Sequence, residues 1–298
     1  MNFLKNPPFA TYKYDTYNLD VAVALIPIIV WAVFMFGAQA IINISVGAVV
    51  CVLAELIVNL CLRRRFGGDL FGAALTGALI ALALSDDAPV WVIAVGAVSA
   101  IALAKYPLII LGRKVSFISP AALGILISAT FAGESSPFLD LFRGGAMPSD
   151  GLLSIFIGST EGAIGAVSVM LLIASGVYLL LRRAISPMPI VSSLVVFCAL
   201  CLAFYPEWTT YTDNLIYQLL CGGFLFYLIF IACDRGAMPF TGRGKIIYGA
   251  LFASLAFVLR CYTDLPVPEA ISVLAVSLLA PILDIVTKPV PFGGKRKK

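Results

Sequence analysis

Few side chains in this 298-residue chain have the chemistry of an active site. Histidine is absent, which removes His-based metal sites and His acid–base catalysis. There are seven cysteines, and all sit in apolar segments or at their ends. Cys198 and Cys201 have the spacing of a redox or metal motif, but within Phe197-Cys198-Ala199-Leu200-Cys201 they read as small apolar packing residues. No metal ligands and no catalytic residue follow. Gly158, Gly162 and Gly165 form a Gly-x-x-x-Gly-x-x-Gly stretch, and such spacing lets two helix backbones approach closely. A Gly-rich helix start also presents N–H groups and a positive dipole end, which suit a phosphate or an isoalloxazine carbonyl. Both readings stay open. Glu55 is the ionisable residue deepest in an apolar segment, where a charge is costly unless it lines a path or finds a partner. Arg63, two turns further on, offers a helix-end pair, and snorkelling is the other plain account. Lys105, Arg260 and Asp284 lie near segment ends and receive no role. No set of carboxylates in register suggests a proton path within the chain.

The elements that must position these residues are hydrophobic segments at roughly 21–38, 40–61, 68–85, 88–104, 119–132, 161–181, 189–205, 216–233, 245–262 and 266–285, about ten transmembrane helices by length. The composition, 61% hydrophobic and 12% charged, leaves no stretch for a separate water-soluble domain. The fold class is therefore an all-α integral membrane protein, read as one domain over 1–298. Lys and Arg concentrate on alternate loops: Lys5, Lys13, Arg63 to Arg65, Lys105, Arg113, Lys114, Arg182, Arg183, Arg235, Arg243, Lys245, Lys288 and the run from Lys295 to Lys298. The positive-inside bias makes that side cytoplasmic. Both termini then lie there, with residues 1–20 as a cytoplasmic segment, 286–298 as a basic tail at the membrane surface, and 133–160 as an extracytoplasmic loop. The other loops carry mostly Asp and Glu, with Arg143 and Arg260 as their cations. Residues 1–20 have no apolar core, so the first span is expected to direct insertion. The net charge of +4 suits anionic headgroups rather than nucleic acid. Ten spans suit a 5+5 inverted repeat, because an odd number of helices per half inverts the second half. Gly68, Gly72 and Gly77 in span three match Gly222 and Gly223 in span eight, and Pro120 matches Pro281.

Several stretches, in order, carry a resemblance. They are Lys105-Tyr106, Gly112-Arg113-Lys114, Ser119-Pro120-Ala121-Ala122-Leu123-Gly124, Leu220-Cys221-Gly222-Gly223 and Ala232-Cys233-Asp234. Gly244-Lys245-Ile246-Ile247-Tyr248-Gly249, Arg260, Pro268-Glu269, Ala280-Pro281-Ile282-Leu283-Asp284 and Phe292-Gly293 follow. Together they resemble the RnfD/NqrB family, the large membrane subunits of ion-translocating Rnf and Nqr electron-transport complexes, in which Asn stands at the position of Ser119.

The resemblance implies a membrane subunit that couples electron transfer, between ferredoxin and NAD or related carriers, to ion translocation. Such a chain is part of a translocase in the cell's inner (cytoplasmic) membrane, with other membrane and peripheral subunits as partners, and is not an enzyme alone. It implies FMN, with riboflavin as a further flavin. Many relatives attach FMN through a phosphoester to Thr in an Asp-Gly-x-Ser-x-Ala-Thr motif after the fifth span. Here the matching positions are Ser136, in Glu134-Ser135-Ser136-Pro137, or Thr130, in Ser128-Ala129-Thr130. Ser136 has the outer-loop environment and Thr130 the identity. Gly162, Gly165 and Ser168 match a Gly-Ser-x-Gly-Glu-Thr-Ser motif and imply a flavin vicinity, although Ala166 and Val167 replace its Glu and Thr. No Gly-x-Gly-x-x-Gly unit is present to bind a dinucleotide. The alternatives are a flavin-free structural or assembly subunit and a stand-alone channel or secondary transporter.

Overall fold

The computed structural model describes residues 14–61, 70–105, 118–133, 163–166, 168–204, 215, 218–220 and 223–287. These residues contain helices and no strand. In chain order the helices are α1 (Tyr14–Phe36), α2 (Ala38–Cys61), α3 (Leu70–Ala83), α4 (Val90–Ser99), α5 (Pro120–Ala132), α6 (Val169–Leu181), α7 (Pro187–Ala203), α8 (Phe224–Phe226), α9 (Gly242–Tyr262) and α10 (Pro268–Val286). Two of them continue as π-helix, α4 through Ala100–Lys105 and α8 through Tyr227–Ala232.

Four helices, α1, α2, α9 and α10, are long and apolar enough to cross a membrane, and five more apolar helices have 10 to 17 residues. At 1.5 Å per residue the 13 residues of α5, bounded by Ser119 and Gly133, reach only about 20 Å, short of a hydrocarbon core about 30 Å thick. The difference from ten uniform spans has a physical reason. Irregular backbone is tolerated at membrane depth where protein, not lipid, surrounds it. Span eight illustrates this: Gly223 adopts a left-handed φ of 77° just before α8, a conformation glycine reaches without a Cβ penalty. In span six the described residues 163–166 and 168 are not helical, and the helix runs from Val169.

Local signals explain several boundaries. Ser119 caps α5 by accepting from the Ala122 N–H, Pro120 occupies the first turn, and Gly133 at φ 71° ends the helix. Thr241 accepts from the Gly244 N–H to start α9.

In the first half α2 packs on α1, α3 and α4, α4 on α3 and α5, α3 on α5, and α1 on α3. In the second half α7 packs on α8 and α9, α9 on α10, α8 on α10, and α6 on α8. Between halves α1 meets α6, and α5 meets α10. Lipid offers no hydrophobic force between helices, so close approach of small residues drives association. A Cβ at Gly77 would strike the Gly47 carbonyl on α2, and one at Gly96 would strike Ser128 and the Gly124 carbonyl on α5. One at Gly249 would meet the Pro189 backbone on α7. The outward faces carry large apolar side chains, such as Val30 on α1, Ile57 on α2, Val195 on α7 and Ile282 on α10, as a lipid-facing surface requires.

Candidate functional site

Polar groups concentrate at the two ends of the bundle and along one face of α2. At the first end, the starts of α1, α7 and α9 meet the ends of α6, α8 and α10. Arg182 Nε donates to Asp20 Oδ1 at 3.1 Å, and that carboxylate holds the exposed Arg182 guanidinium above its ordinary pKa through the hydrogen bond and its charge. Tyr17 donates to Asp234 Oδ1 at 3.4 Å. Arg235 stacks over the Tyr17 ring, 5.2 Å from its centroid, and donates to the Ala184 and Arg183 carbonyls at 2.8 and 2.7 Å. Asp284, near the end of α10, accepts from the Phe240 and Thr241 amides at 2.9 and 3.1 Å. It thus caps the approach to α9, where the dipole favours an anion. Thr241 and Thr287 hydroxyls hydrogen-bond beside it.

At the opposite end, Arg260 on α9 and Glu269 on α10 form an ion pair, 0% and 2% exposed. Arg260 Nη1 also donates to the Gln218 carbonyl at 2.5 Å. Its guanidinium lies 5.6 and 5.7 Å from the Phe197 and Phe224 ring centroids, which are themselves stacked at 4.1 Å. The Arg260 charge is thereby satisfied by a carboxylate, a carbonyl and two ring faces. Sequence reading assigned no role to Arg260 or Asp284. Both prove to be structural ties, and the signal for the first was an Arg and a Glu flanking the short Thr263 to Val267 connection.

Along α2, Asn43, Gly47, Cys51, Glu55 and Asn59 recur every fourth residue and are all buried. This stripe lies on the face that α3 and α4 cover; Cys51 Sγ donates to the Ala97 carbonyl on α4 at 3.5 Å. Glu55 is 2% exposed, enclosed by protein and not reaching for a surface, which rules out snorkelling. Arg63, its expected partner, lies outside the described residues. A buried carboxylate with an amide side chain one turn away is a pairing by which a cation can be held within a membrane.

The residues singled out for a flavin are distributed as follows. Ser136 and Gly162 lie outside the described residues, as does most of the loop 133–160. Thr130 is exposed in the last turn of α5 and donates to the Leu126 carbonyl at 2.6 Å. That turn is the negative end of the helix dipole, a poor place for a phosphoester. Gly165 and Ser168 are buried just before and at the start of α6. The free amides expected there are engaged: Gly165 N–H donates to the Leu82 carbonyl at 2.6 Å, Ile164 N–H to Leu84 at 2.9 Å and Ala166 N–H to Ala163 at 2.9 Å. A Cβ at Gly165 would press on Leu82 and Phe226. The glycine therefore serves close packing against the end of α3. Among the described residues these donors do not fit a phosphate or a flavin carbonyl, since each already has an acceptor. No group of three or more His, Cys, Asp or Glu side chains that could hold a metal occurs among the described residues.

Comparison with known proteins gives a consistent result. Residues 4–293 match the family described as NQR2, RnfD, RnfE. The D-type subunit of the proton-translocating ferredoxin:NAD(+) oxidoreductase complex of Clostridium ljungdahlii is 27% identical over 93% of this chain and 91% of its own length. Its counterpart in the Na(+)-translocating ferredoxin:NAD(+) oxidoreductase complex of Acetobacterium woodii is 26% identical, covering 99% and 96%. The D-type subunit of an ion-translocating oxidoreductase complex of Stutzerimonas stutzeri is 28% identical, covering 94% and 92%.

Proposed function

This chain belongs to the NQR2, RnfD, RnfE family, and we propose that it is the RnfD-type membrane subunit of an Rnf-type complex, coupling electron transfer between ferredoxin and NAD(+) to ion translocation across the cytoplasmic membrane. The observation that carries this reading is near full-length similarity to the corresponding subunit of three ion-translocating oxidoreductase complexes. The remaining subunits, membrane and peripheral, are its partners.

The ten-pass, 5+5 arrangement belongs to the same proposal. Adding five to the helix numbers of the packed pairs α2–α3, α2–α4, α4–α5, α3–α5 and α1–α3 reproduces five packed pairs of the second half, whereas α1–α2 and α3–α4 have no comparable counterpart among the described residues. Between the halves α1 packs on α6 and α5 on α10, each helix against its own counterpart, which suits a twofold axis. Tyr17 near the start of α1 and Thr287 after α10 both reach the same polar end of the bundle. That supports both termini on one side, and the positive-inside bias assigns that side to the cytoplasm.

Glu55 is the residue of this chain proposed to meet the cation, because it is a buried carboxylate on α2, with Cys51 and Asn59 one turn to either side of it. Proton-translocating and Na(+)-translocating relatives are equally similar to the chain, so the cation is a matter for experiment. As to flavin, FMN or riboflavin when bound would supply one-electron redox chemistry, with the protein supplying position and surroundings. Covalent attachment is proposed at Ser136 in preference to Thr130, whose hydroxyl is tied back into α5. The second reading, a flavin-free structural subunit, is favoured by the engaged amides at 164–166 and by Ala166 and Val167 in place of Glu and Thr.

The test is deletion of the chain, followed by ferredoxin-driven NAD(+) reduction and cation uptake in inverted membrane vesicles. Both activities are expected to vanish and to return with the intact chain. Cation flux through the purified chain alone, without partners, would instead make it a stand-alone channel or transporter.

A further inference from the structure

Helix α1 belongs to the first half by its place in the chain, yet it packs most extensively on α6 of the second half. The ties across that seam are polar. Ser175 Oγ donates to the Ala24 carbonyl at 2.8 Å. Tyr178 and Arg182, one and two turns further along α6, donate to Asp20 Oδ1 at 3.5 and 3.1 Å. Tyr17 adds a bond to Asp234, just past the π-helix that follows α8.

Each of these ties falls before Pro27, which lies inside α1. Proline has no N–H to return to the carbonyl four residues back, and its ring crowds that carbonyl. The helix therefore loses its bond to Val23 and has a natural point of bending there. The next carbonyl, Ala24, is the one that Ser175 holds from across the seam. Beyond Pro27 the fully buried side chains of α1 are Ile28 and Ala32, which are apolar. The arm 14–26 is thus held to the second half by polar bonds, and the remainder of α1 packs through apolar contact.

The Asp20–Arg182 tie is built differently from the Arg260–Glu269 pair, which lies within one half and is sealed in protein on both sides. Arg182 reaches Asp20 through Nε alone, and its side chain is 55% exposed against 5% for that of Asp20. The cation can therefore withdraw into water without being stranded. Asp20 Oδ2 is buried and meets no donor, a costly condition for a carboxylate oxygen. The closed seam carries that penalty, and opening it would hydrate the carboxylate and remove it.

We propose that the arm 14–26 of α1 is a gate at the seam between the two halves, hinged at Pro27 and latched by Asp20 on Arg182. When the latch opens, the arm leaves α6, and the α6 face carrying Ser175, Tyr178 and Arg182 lines a polar cleft entered from the polar end of the bundle. The use of that cleft, admission of the cation to the seam, rests on the ion-translocating reading given above. The hinge and the latch do not depend on it.

The test is hydrogen–deuterium exchange of the full-length chain in detergent, read by mass spectrometry for the parent, Asp20→Asn and Arg182→Gln. Amides of the arm 14–26 should exchange about tenfold faster in either variant, the worth of one hydrogen bond to a charged group, while those of 28–36 keep the parent rate. Joining Pro27→Ala to Asp20→Asn restores the missing backbone bond and should return the arm most of the way to the parent rate. Should Arg182→Gln fail to fold with its carboxylate left alone, Asp20→Asn still decides the matter. Unchanged exchange in the arm would overturn the latch, and equal acceleration on both sides of Pro27 would overturn the hinge. In vesicles holding the whole complex, Asp20→Asn should leave ferredoxin-driven NAD(+) reduction in place and lower the cation taken up per NAD(+) reduced. An unaltered ratio would overturn the gate. A parent complex with neither activity would instead overturn the ion-translocating reading, with the exchange result still deciding the hinge and the latch.

Discussion

Arg260 and Glu269 face each other inside the bundle, closing the α9–α10 hairpin with an ion pair that neither solvent nor lipid reaches. The Phe197 and Phe224 rings and the Gln218 carbonyl complete the surroundings of the guanidinium. The pair also accounts for an arginine at the end of the bundle opposite Arg182 and Arg235: its charge is met within the protein.

Removing one partner of such a pair leaves an unpaired buried charge. Arg260→Gln or Glu269→Gln should each destabilise the protein by about 3–5 kcal/mol, whereas a joint replacement by Met and Leu should cost less than either alone. Thermal unfolding of the four proteins in detergent checks this, and a double-variant loss equal to the sum of the two single losses would show that the pair does not act as a unit.

The α2–α3 contact depends on the absence of side chains. Gly77→Ala places a methyl group against the Gly47 carbonyl and the Ala48 amide, backbone atoms that cannot swing aside. Overpacking of this kind costs about 1–3 kcal/mol. Gly236→Ala, whose added Cβ meets only the Asp234 carboxylate at 3.5 Å, is the matched control and should change stability little. Unfolding temperatures of the two variants should separate clearly.

Glu55→Gln keeps the shape of the buried side chain and removes its charge. If this carboxylate links cation movement to electron flow, its loss should weaken apparent cation affinity by roughly 5- to 150-fold, the span of ordinary coupling energies, while the complex still assembles. Cation uptake and NAD(+) reduction in the same vesicles provide the readout. Unaltered uptake would remove Glu55 from the path.

Flavin attachment separates by residue. In-gel fluorescence of the denatured chain, with mass mapping of residues 125–160, should show a flavin-sized addition that Ser136→Ala abolishes and Thr130→Ala leaves intact. A dark band from the unmodified complex would favour the flavin-free structural role.

Sidedness can be read with a single thiol. Ser149→Cys in the loop 133–160 should react with a membrane-impermeant maleimide added outside intact cells, above the labelling of the parent chain. Reaction only after access to the cytoplasmic side would reverse the orientation.

Much about this protein was legible in one dimension. A bilayer requires long apolar segments and leaves cations on one side, so hydropathy and the distribution of Lys and Arg suffice for the membrane class and the expected sidedness. The order of short motifs from Lys105 to Gly293 sufficed for the family. What the tertiary structure decided are the ties between residues far apart in the chain. Asp284 caps α9 from 44 residues beyond Phe240, Arg260 and Glu269 meet only because a short connection folds α10 back along α9, and the amides of Ile164 and Gly165 are consumed by carbonyls at the end of α3. Glycine spacing alone left both close packing and cofactor binding open, since both demand a bare backbone. Only the identity of the group facing that backbone separates them, and at Gly165 it is Leu82 and Phe226. Periodicity and charge report what solvent each face of a helix meets, but the partner of a buried polar group is set by where another segment's backbone arrives, which no local pattern encodes.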